Sequence, residues 1–204
     1  MSEQGRDVGR GMYGTARAVR PTSPDGGRRW CPRGHDLTIG GKQAGYSHRH
    51  RLDTVTCGVC WDLGLPGASW CEIDPAEQHT EEQAPDVGLV LVRVPPAVRA
   101  GVGQLRMRLD GVVVADADLA VCAPCRRAVL EQVRVDEAHR RLGYGRVLVA
   151  AALAVAPPGQ GYDWSTTTVL NSPATRAFWA AVGWPGQLGR PDRCTDMVRA
   201  VGEG

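Results

Sequence analysis

The second half of the chain carries short runs of hydrophobic residues, and several of these runs alternate with polar residues as β-strands do. Such runs occupy residues 87–94, 104–109, 112–119 and 129–135. Asp110-Gly111 lies between the second and third runs, and this dipeptide favours a tight hairpin turn because both positions need positive φ. The pattern therefore predicts a meander of four strands.

After the meander the hydrophobic period becomes that of a helix. Apolar residues at 147, 148, 151, 152 and 155 fall on one helical face, and Pro157-Pro158 ends the helix. A strand is predicted at 163–170 and another at 194–201. Between them Ser172 is a candidate N-cap, Pro173 fits the first helical position and Gly183 is a candidate C-cap. The predicted fold class is α+β, a mixed sheet with two helices packed on it.

The first half of the chain shows a different composition. Residues 1–29 are rich in Gly, Arg and Pro and predict a disordered tail. Residues 30–72 contain Cys and His but few aliphatic residues, so this segment cannot build a core by itself. Residues 73–86 are acidic and polar and predict a linker. The predicted division is thus a tail (1–29), a small module (30–72), a linker (73–86) and a main domain (87–204).

Composition excludes several classes of protein. Hydrophobic residues make up 43% and charged residues 23% of the 204 residues, which is ordinary for a soluble globular protein. The net charge of +2 does not indicate a general nucleic-acid binder, and no apolar run approaches the roughly 20 residues of a membrane span. The N-terminus lacks the apolar core of a signal peptide, so we expect a cytoplasmic protein. Its seven cysteines then favour metal ligands or buried thiols over disulfides.

The segment "RRLGYG" (140–145) has the chemistry of an anion site. It follows a predicted strand and begins a helix, where backbone N–H groups lack partners. Its glycines allow close approach of a phosphate, and its arginines add charge-assisted contacts. A tight turn that binds nothing is the alternative. A dinucleotide-binding turn is disfavoured because the third glycine is missing, although Asp163 lies at the required distance along the chain.

Two segments together resemble a known family. "LEQVRVDEAHRRLGYGRVLVAA" resembles the acetyl-CoA signature of the GNAT N-acetyltransferases, and "NSPATRAFWAAVGW" (171–184) resembles the family's second signature. The resemblance covers residues 87–201. It implies transfer of an acetyl group from acetyl-CoA to an amine.

The resemblance also implies roles for individual residues. The backbone from Arg141 to Arg146, with Arg140 beside it, would hold the pyrophosphate of CoA. Val133 and Val135 would pair with the pantetheine arm, Asn171 would contact this arm or the sheet edge, and Phe178 would line the cofactor tunnel. The implied cofactor-binding residues are Val133, Val135, Arg140, Arg141, Leu142, Gly143, Tyr144, Gly145, Arg146, Asn171 and Phe178.

The candidate catalytic residue is Glu131, on the signature strand. If it is buried, its pKa would rise toward the range useful for a general base; the alternative is a strand glutamate that faces solvent. Asp116 and Asp118 are weaker candidates. The sequence departs from the family at Trp179, where a Tyr often serves as acid, because an indole cannot act as an acid.

A second departure is the short segment 95–103 between the first two core strands, where the family has two helices. The side of the sheet where the amine acceptor would bind is therefore expected to be open, or covered by the N-terminal module. An open side suits a macromolecular acceptor, such as a protein amine, better than a small drug.

Four residues of the module have the spacing of two zinc half-sites. Cys31-x₃-His35 and Cys57-x₂-Cys60 together make a Cys₃His set. Metal binding would supply folding energy that this aliphatic-poor segment lacks. Unrelated reduced thiols are the alternative, and His48 or His50 could replace a ligand.

The pair Cys122-x₂-Cys125 leaves several interpretations open. It could form a second metal site with Cys71 and His79, complete an N-terminal half-site, act in redox chemistry, or remain two idle thiols. Cys194 has no obvious partner in the sequence.

The leading hypothesis is an acetyl-CoA-dependent N-acetyltransferase with an N-terminal zinc module and an unidentified amine acceptor. The first alternative is a GNAT-like acyl-CoA-binding protein of weak or no activity, whose zinc module binds protein or nucleic acid. The second is a zinc-ribbon nucleic-acid binder, which the near-neutral charge disfavours. No membrane partner is expected.

Overall fold

The computed structural model describes residues 18–21, 30–31, 33–65 and 67–202. The N-terminal elements are β1 (Ala18–Pro21), β2 (Lys42–Ser47), β3 (Leu52–Cys57), α1 (Gly58–Asp62) and β4 (Ser69–Ile73). The remaining elements are β5 (Leu89–Val94), β6 (Val102–Leu109), β7 (Val112–Cys122), β8 (Arg127–Val135), α2 (Tyr144–Val155), β9 (Asp163–Thr166), α3 (Pro173–Val182) and α4 (Thr195–Gly202).

The larger sheet has five strands in the order β5-β6-β7-β8-β9. Its pairs are antiparallel except β8 and β9, which run parallel. Asp110 and Gly111 join β6 to β7 with φ of 50° and 79°, the two positive values that the predicted hairpin turn needs. The mixed sheet flanked by helices confirms the predicted fold class.

Helix α2 packs on one face of this sheet. Its predicted apolar face is buried at Val147, Leu148, Ala151 and Ala152. The sheet contributes alternate residues to the same core, as a period of two requires: Leu91, Leu105, Met107, Ala117 and Leu130. The core of the main domain therefore lies between α2 and the sheet.

Helix α3 begins and ends at the predicted residues. The Ser172 hydroxyl accepts a hydrogen bond from the Thr175 N–H at 3.1 Å, and Pro173 is the first helical residue. Gly183 ends the helix with a φ of 63°. The caps thus confirm the bounds that the sequence predicted.

Two predicted strands need correction. The segment predicted as a strand at 194–201 is helix α4, whose buried residues Met197 and Ala200 are three positions apart, as on a helix face. Strand β9 ends at Thr166 rather than at residue 170, because it stops pairing with β8 there.

The sheet face opposite α2 is polar in its middle. Ala117 belongs to the core with α2, so its neighbours Asp116 and Asp118 point to the other face. Helix α4 covers one end of this face in a small apolar cluster with Ala100, Ala120, Cys122, Val129 and Met197. No helix lies between β5 and β6, as the short segment predicted.

The N-terminal half contains a four-stranded sheet that the hydrophobic pattern did not indicate. Its order is β1-β4-β3-β2, and β1 pairs with β4 in parallel. Strand β1 lies within the segment that was predicted to be a disordered tail. The rest of that predicted tail, 1–17 and 22–29, lies outside the described residues.

Contacts cross the predicted boundary between module and main domain. Cys71 and Ile73 of β4 belong to the core under α2. In the predicted linker, the His79 N–H donates to the Leu91 carbonyl at 2.9 Å and its carbonyl accepts from the Arg93 N–H at 2.8 Å. The division into domains stays a prediction, but the described linker residues lie against β5. None of the described helices has the length and apolar character that crossing a membrane requires.

Candidate functional site

The loop between β8 and α2 presents free backbone N–H groups. Arg141 and Gly143 adopt positive φ of 66° and 93°, and Gly143 is the N-cap of α2. The Gly143 carbonyl accepts the first helical hydrogen bonds, from the N–H groups of Arg146 (3.0 Å) and Val147 (3.2 Å). Among the described residues the preceding N–H groups have no helical acceptor, which leaves them able to bind an anion.

Arginines surround this loop. Arg140 and Arg141 are exposed, and the Arg140 Nε donates to the Val135 carbonyl at 3.2 Å. Neither Arg141 nor Arg146 forms an ion pair with any described residue. Their guanidinium groups are thus available for a phosphorylated ligand.

Strands β8 and β9 separate on the side that leads to this loop. Their pairing ends at Leu130 and Thr166, so Val133 and Val135 have no partner on β9. Thr167 closes the pairing, since its N–H donates to the Leu130 carbonyl and its hydroxyl to the Glu131 carbonyl. The free edge of β8 is therefore open to an extended ligand.

A β-bulge lies where the two strands separate. On the other side of β8, Gln132 pairs with Asp118 and Leu130 pairs with Leu119 of β7. Glu131 is the extra residue between these two pairs. The sequence alone did not locate this irregularity, because nothing in a strand's composition marks the residue that is left out of the register.

Glu131 is tied to an arginine rather than turned to solvent. Arg193 donates from Nε to one carboxylate oxygen at 3.3 Å and from Nη2 to the other. The Glu131 side chain is 15% exposed and that of Arg193 29%. The structure thus places the candidate base at the bulge of β8 and holds it in a two-point ion pair.

The weaker candidate bases are also paired. Arg134 contacts Asp116 at 2.5 Å and Asp118 at 2.8 Å, and Gln104 donates to Asp118 at 2.8 Å. The hydrogen bond to Asp116 raises the pKa of Arg134 above its usual value. These groups form a mixed-charge surface on the polar face of the sheet, beside Glu131.

Helix α3 lies against the start of α2. A Cβ placed on Gly145 would lie 3.2 Å from the Phe178 ring, so the missing side chain lets Phe178 approach the loop. Phe178 packs edge to face on Trp179, with ring centroids 5.2 Å apart. Asn171 accepts a hydrogen bond from Arg176 at 2.6 Å. Phe178 of the second signature thus lies beside the loop of the first, whereas Asn171 contacts a residue of its own signature.

The Tyr144 side chain lies in the core. It is 1% exposed and packs with the residues under α2. Burial raises the pKa of Tyr144 to about 12, and its hydroxyl has no partner among the described residues. The His139 ring stacks on it with centroids 6.0 Å apart. Only its backbone can thus contribute to the loop.

The four predicted zinc ligands converge. The Cys31 and Cys60 sulfurs lie 3.8 Å apart, and the His35 Nδ1 lies 3.4 Å from Cys31, 3.2 Å from Cys60 and 3.8 Å from Cys57. Tetrahedral Zn²⁺ with Zn–S bonds of about 2.3 Å requires sulfurs about 3.8 Å apart. The donor set and its spacing fit this ion.

Backbone groups support the thiolate form of Cys31. Burial opposes its ionisation, but the N–H groups of Arg33 and His35 donate to its sulfur, both at 3.3 Å, and lower the pKa of Cys31. The turn closes through Gly34, whose φ is 87°. His50, the alternative ligand, contacts Cys71 at 3.5 Å instead.

A second group of cysteines includes a residue for which the sequence offered no partner. Cys122, Cys125 and Cys194 have sulfurs within 4.8 Å of one another. Cys71 and His79, considered as partners of this pair, are not part of the group. Only the fold brings Cys194 here, because α4 begins directly after it.

A comparison with protein families finds a match that crosses the predicted domain boundaries. Residues 69–184 match the model of the Acetyltransferase (GNAT) family, which is more than half of the chain. The match begins at β4, upstream of the resemblance recognised in the sequence. No curated protein matches the chain.

Several solved structures are similar to parts of the chain. Nourseothricin acetyltransferase is 23% identical over 39% of this chain, with a TM-score of 0.34, and the match spans 48% of its own length. Aminoglycoside N-acetyltransferase AAC(6')-Iy in complex with CoA is 18% identical, covering 46% of this chain and 72% of its own, with a TM-score of 0.36. Ribosomal-protein-alanine N-acetyltransferase from Brucella melitensis biovar Abortus 2308 is 17% identical, covering 48% and 71%, with a TM-score of 0.33. Similarity at this level does not identify the acceptor of this chain.

Proposed function

Because the chain belongs to the acetyltransferase (GNAT) family, we propose that it transfers an acetyl group from acetyl-CoA to an amine on a protein or another macromolecule. One observation carries this proposal: the N-terminus of α2, with the exposed Arg140 and Arg141 before it, lies beside the edge of β8 that β9 leaves unpaired. A site of this shape suits a ligand with a pyrophosphate at one end and an extended amide chain at the other.

In the proposed complex the backbone from Arg141 to Arg146 binds the pyrophosphate. Val133 and Val135 offer the edge of β8 to the two amides of the pantetheine arm, which adds like a short strand once the Val135 carbonyl releases Arg140. Phe178 lines the far side of this cleft, where Gly145 leaves space for its ring. The acetyl group would then lie near the bulge at Glu131.

The proposed reaction is direct transfer. The amine nitrogen attacks the thioester carbonyl, the carbon–sulfur bond breaks, and CoA leaves as its thiolate. Backbone N–H groups at the bulge polarise the carbonyl. Glu131 takes the proton lost by the amine, which requires its carboxylate to exchange Arg193 for the substrate.

The open polar face supports a macromolecular acceptor. The segment between β5 and β6 has no helix, and Asp116, Asp118 and Arg134 lie on a part of the sheet that no described helix covers. A mixed-charge surface of this kind suits a polar peptide that carries a lysine or an N-terminal amine.

The Cys31, His35, Cys57 and Cys60 set is proposed to bind Zn²⁺. Four protein ligands would occupy all four coordination positions of tetrahedral Zn²⁺ and leave none for a substrate. We therefore assign this metal the task of stabilising the N-terminal sheet rather than catalysis.

A second candidate function rests on two observations. The proposed base is held by Arg193, and Trp179 occupies the position where the family often has an acid. A protein with these features could bind acyl-CoA without turnover, with its metal module contacting a partner.

Calorimetric titration with acetyl-CoA tests the binding site. Arg141→Glu places a carboxylate beside the proposed pyrophosphate site, and we expect at least tenfold weaker binding. Arg190→Glu is the matched control, since Arg190 is also exposed and lies outside the loop. Equal binding by both variants would contradict the assigned site. Release of CoA thiol in the presence of peptide amines then separates turnover from binding alone.

A further inference from the structure

The β7–β8 hairpin and the start of α4 bring three thiols together. Cys122 ends β7, Cys125 lies in the turn that follows, and Cys194 directly precedes α4. Their sulfurs lie within 4.8 Å of one another, and none of the three is in a disulfide. The cluster therefore joins two segments that are distant in sequence.

The cluster has the local features of a zinc half-site. The Arg126 N–H donates to the Ala123 carbonyl at 3.3 Å, so Cys122-x₂-Cys125 forms a closed turn. This turn brings the Cys122 and Cys125 sulfurs close together, and Cys194 approaches them from the residue before α4. A Cys-x₂-Cys turn joined by a further cysteine is a common arrangement of structural zinc ligands.

Burial differs among the three cysteines in a way that packing does not explain. Cys122 is 1% exposed and contributes to the apolar cluster under α4. Cys125 is exposed, and Cys194 is intermediate. An exposed cysteine gains nothing from the core, so its approach to the other two sulfurs fits a shared ligand better than hydrophobic contact.

Carboxylates near the cluster are held by arginines. Asp196 is paired with Arg99 at 2.8 Å, and Asp192 is paired with Arg127. Arg127 and Arg193 also line the depression at the cluster. Among the described residues no further side chain joins the three cysteines as a metal ligand, so the fourth position is left to solvent.

We propose that Cys122, Cys125 and Cys194 bind Zn²⁺, with a water molecule as fourth ligand. This ion is separate from the one assigned to Cys31, His35, Cys57 and Cys60. Three thiolates and one water complete the tetrahedral geometry that Zn²⁺ prefers. The site does not depend on the proposed activity.

The metal ties α4 to the hairpin and so fixes the residue before Cys194. That residue is Arg193, which holds the Glu131 carboxylate. The ion thereby orders the backbone next to the cleft without touching the reacting groups.

Zinc analysis of the full chain, purified under reducing conditions, tests the proposal. We expect two zinc ions per chain in the wild type and one in Cys125→Ser. Cys125 lies in an exposed turn, so its substitution leaves the core intact. Cys71→Ala is the control, because Cys71 belongs to neither cluster and an alanine at this buried position adds no polar group, and it should retain both ions.

The outcomes separate the two metal assignments. If Cys125→Ser holds as much zinc as the wild type, the second site is overturned. If the wild type holds one ion and Cys125→Ser none, this site stands and the one at Cys31 fails.

Cobalt substitution gives an independent readout. Both sites have three thiolates, so the near-ultraviolet thiolate-to-cobalt absorption should fall by about half in Cys125→Ser and in Cys194→Ser. Hydrogen exchange in residues 195–202 should rise in both variants, because α4 loses its tie to the hairpin. An unchanged cobalt spectrum in both variants would overturn the proposal.

Discussion

At the scale of single residues, Tyr144 carries a buried hydroxyl that has no partner among the described residues. Burial raises the pKa of Tyr144 from 10.0 to about 12. The folded state therefore favours the neutral phenol. This contribution to stability is fully present below pH 10 and is lost as the pH rises from 10 toward 12.

Tyr144→Phe should isolate the contribution of the buried hydroxyl to the pH dependence of stability. At neutral pH we expect stability equal to the wild type or higher by about 1 kcal/mol, because an unsatisfied hydroxyl is removed. Between pH 10 and 12 the wild type should lose about 2–3 kcal/mol more than the variant. Urea unfolding across this range measures the difference, and parallel curves would contradict the prediction.

Glu131 is the residue on which the catalytic proposal depends. Glu131→Gln preserves size but removes the proton acceptor, so we expect kcat to fall by about a hundredfold or more. The affinity for acetyl-CoA should be unchanged, because the carboxylate does not contact the proposed pyrophosphate site. Steady-state kinetics and calorimetry measure the two quantities. A kcat equal to that of the wild type would remove Glu131 from the mechanism.

At the scale of elements, the N-cap of α3 is a single residue whose contribution to the free energy of unfolding can be measured. Ser172→Ala removes the hydroxyl that accepts from the Thr175 N–H, and we expect a loss of about 1 kcal/mol. Ser172→Asp keeps an acceptor at the same place and should restore stability. Urea denaturation of both variants is the measurement, and an unchanged stability of Ser172→Ala would show that the cap contributes nothing.

The elements also show which signals the sequence contained. The Asp110-Gly111 turn, the caps at Ser172 and Gly183 and the buried face of α2 all arise from local chemistry, so they were predictable. Helix α4 was predicted as a strand, because the segment is short and its few apolar positions fit both the helical and the strand period. The pairing of β1 with β4 joins distant segments, and no local pattern encodes it.

The residues of the candidate site also fall into those that local sequence predicts and those that only the fold brings together. The loop at Arg140–Gly145 and the Cys31 half-site could be predicted, because their residue types and spacing are visible in the sequence. The bulge at Glu131, its pairing with Arg193 and the approach of Cys194 to Cys122 depend on how strands register and pack. Those contacts were not accessible before the fold was known.

At the scale of the whole molecule, metal removal should loosen the N-terminal sheet first. Cys57, Cys60 and Trp70 are buried in one small cluster around the proposed zinc ligands. Treatment with a strong chelator should raise hydrogen exchange in β3 and β4, and added zinc should reverse it. Cys125→Ser is the appropriate background, because it isolates this site from the second one. Unchanged exchange in both strands would argue against a structural metal.

The contact of His79 with β5 has a consequence for solubility. Strand β5 is the edge of the five-stranded sheet, and its backbone groups pair there with His79, while the Leu89 N–H donates to the His50 carbonyl. An uncovered edge strand is a template for strands of other molecules. A chain shortened to begin at residue 87 would expose this edge and should aggregate. We therefore expect the N-terminal half to keep strand β5 from pairing with strands of other molecules.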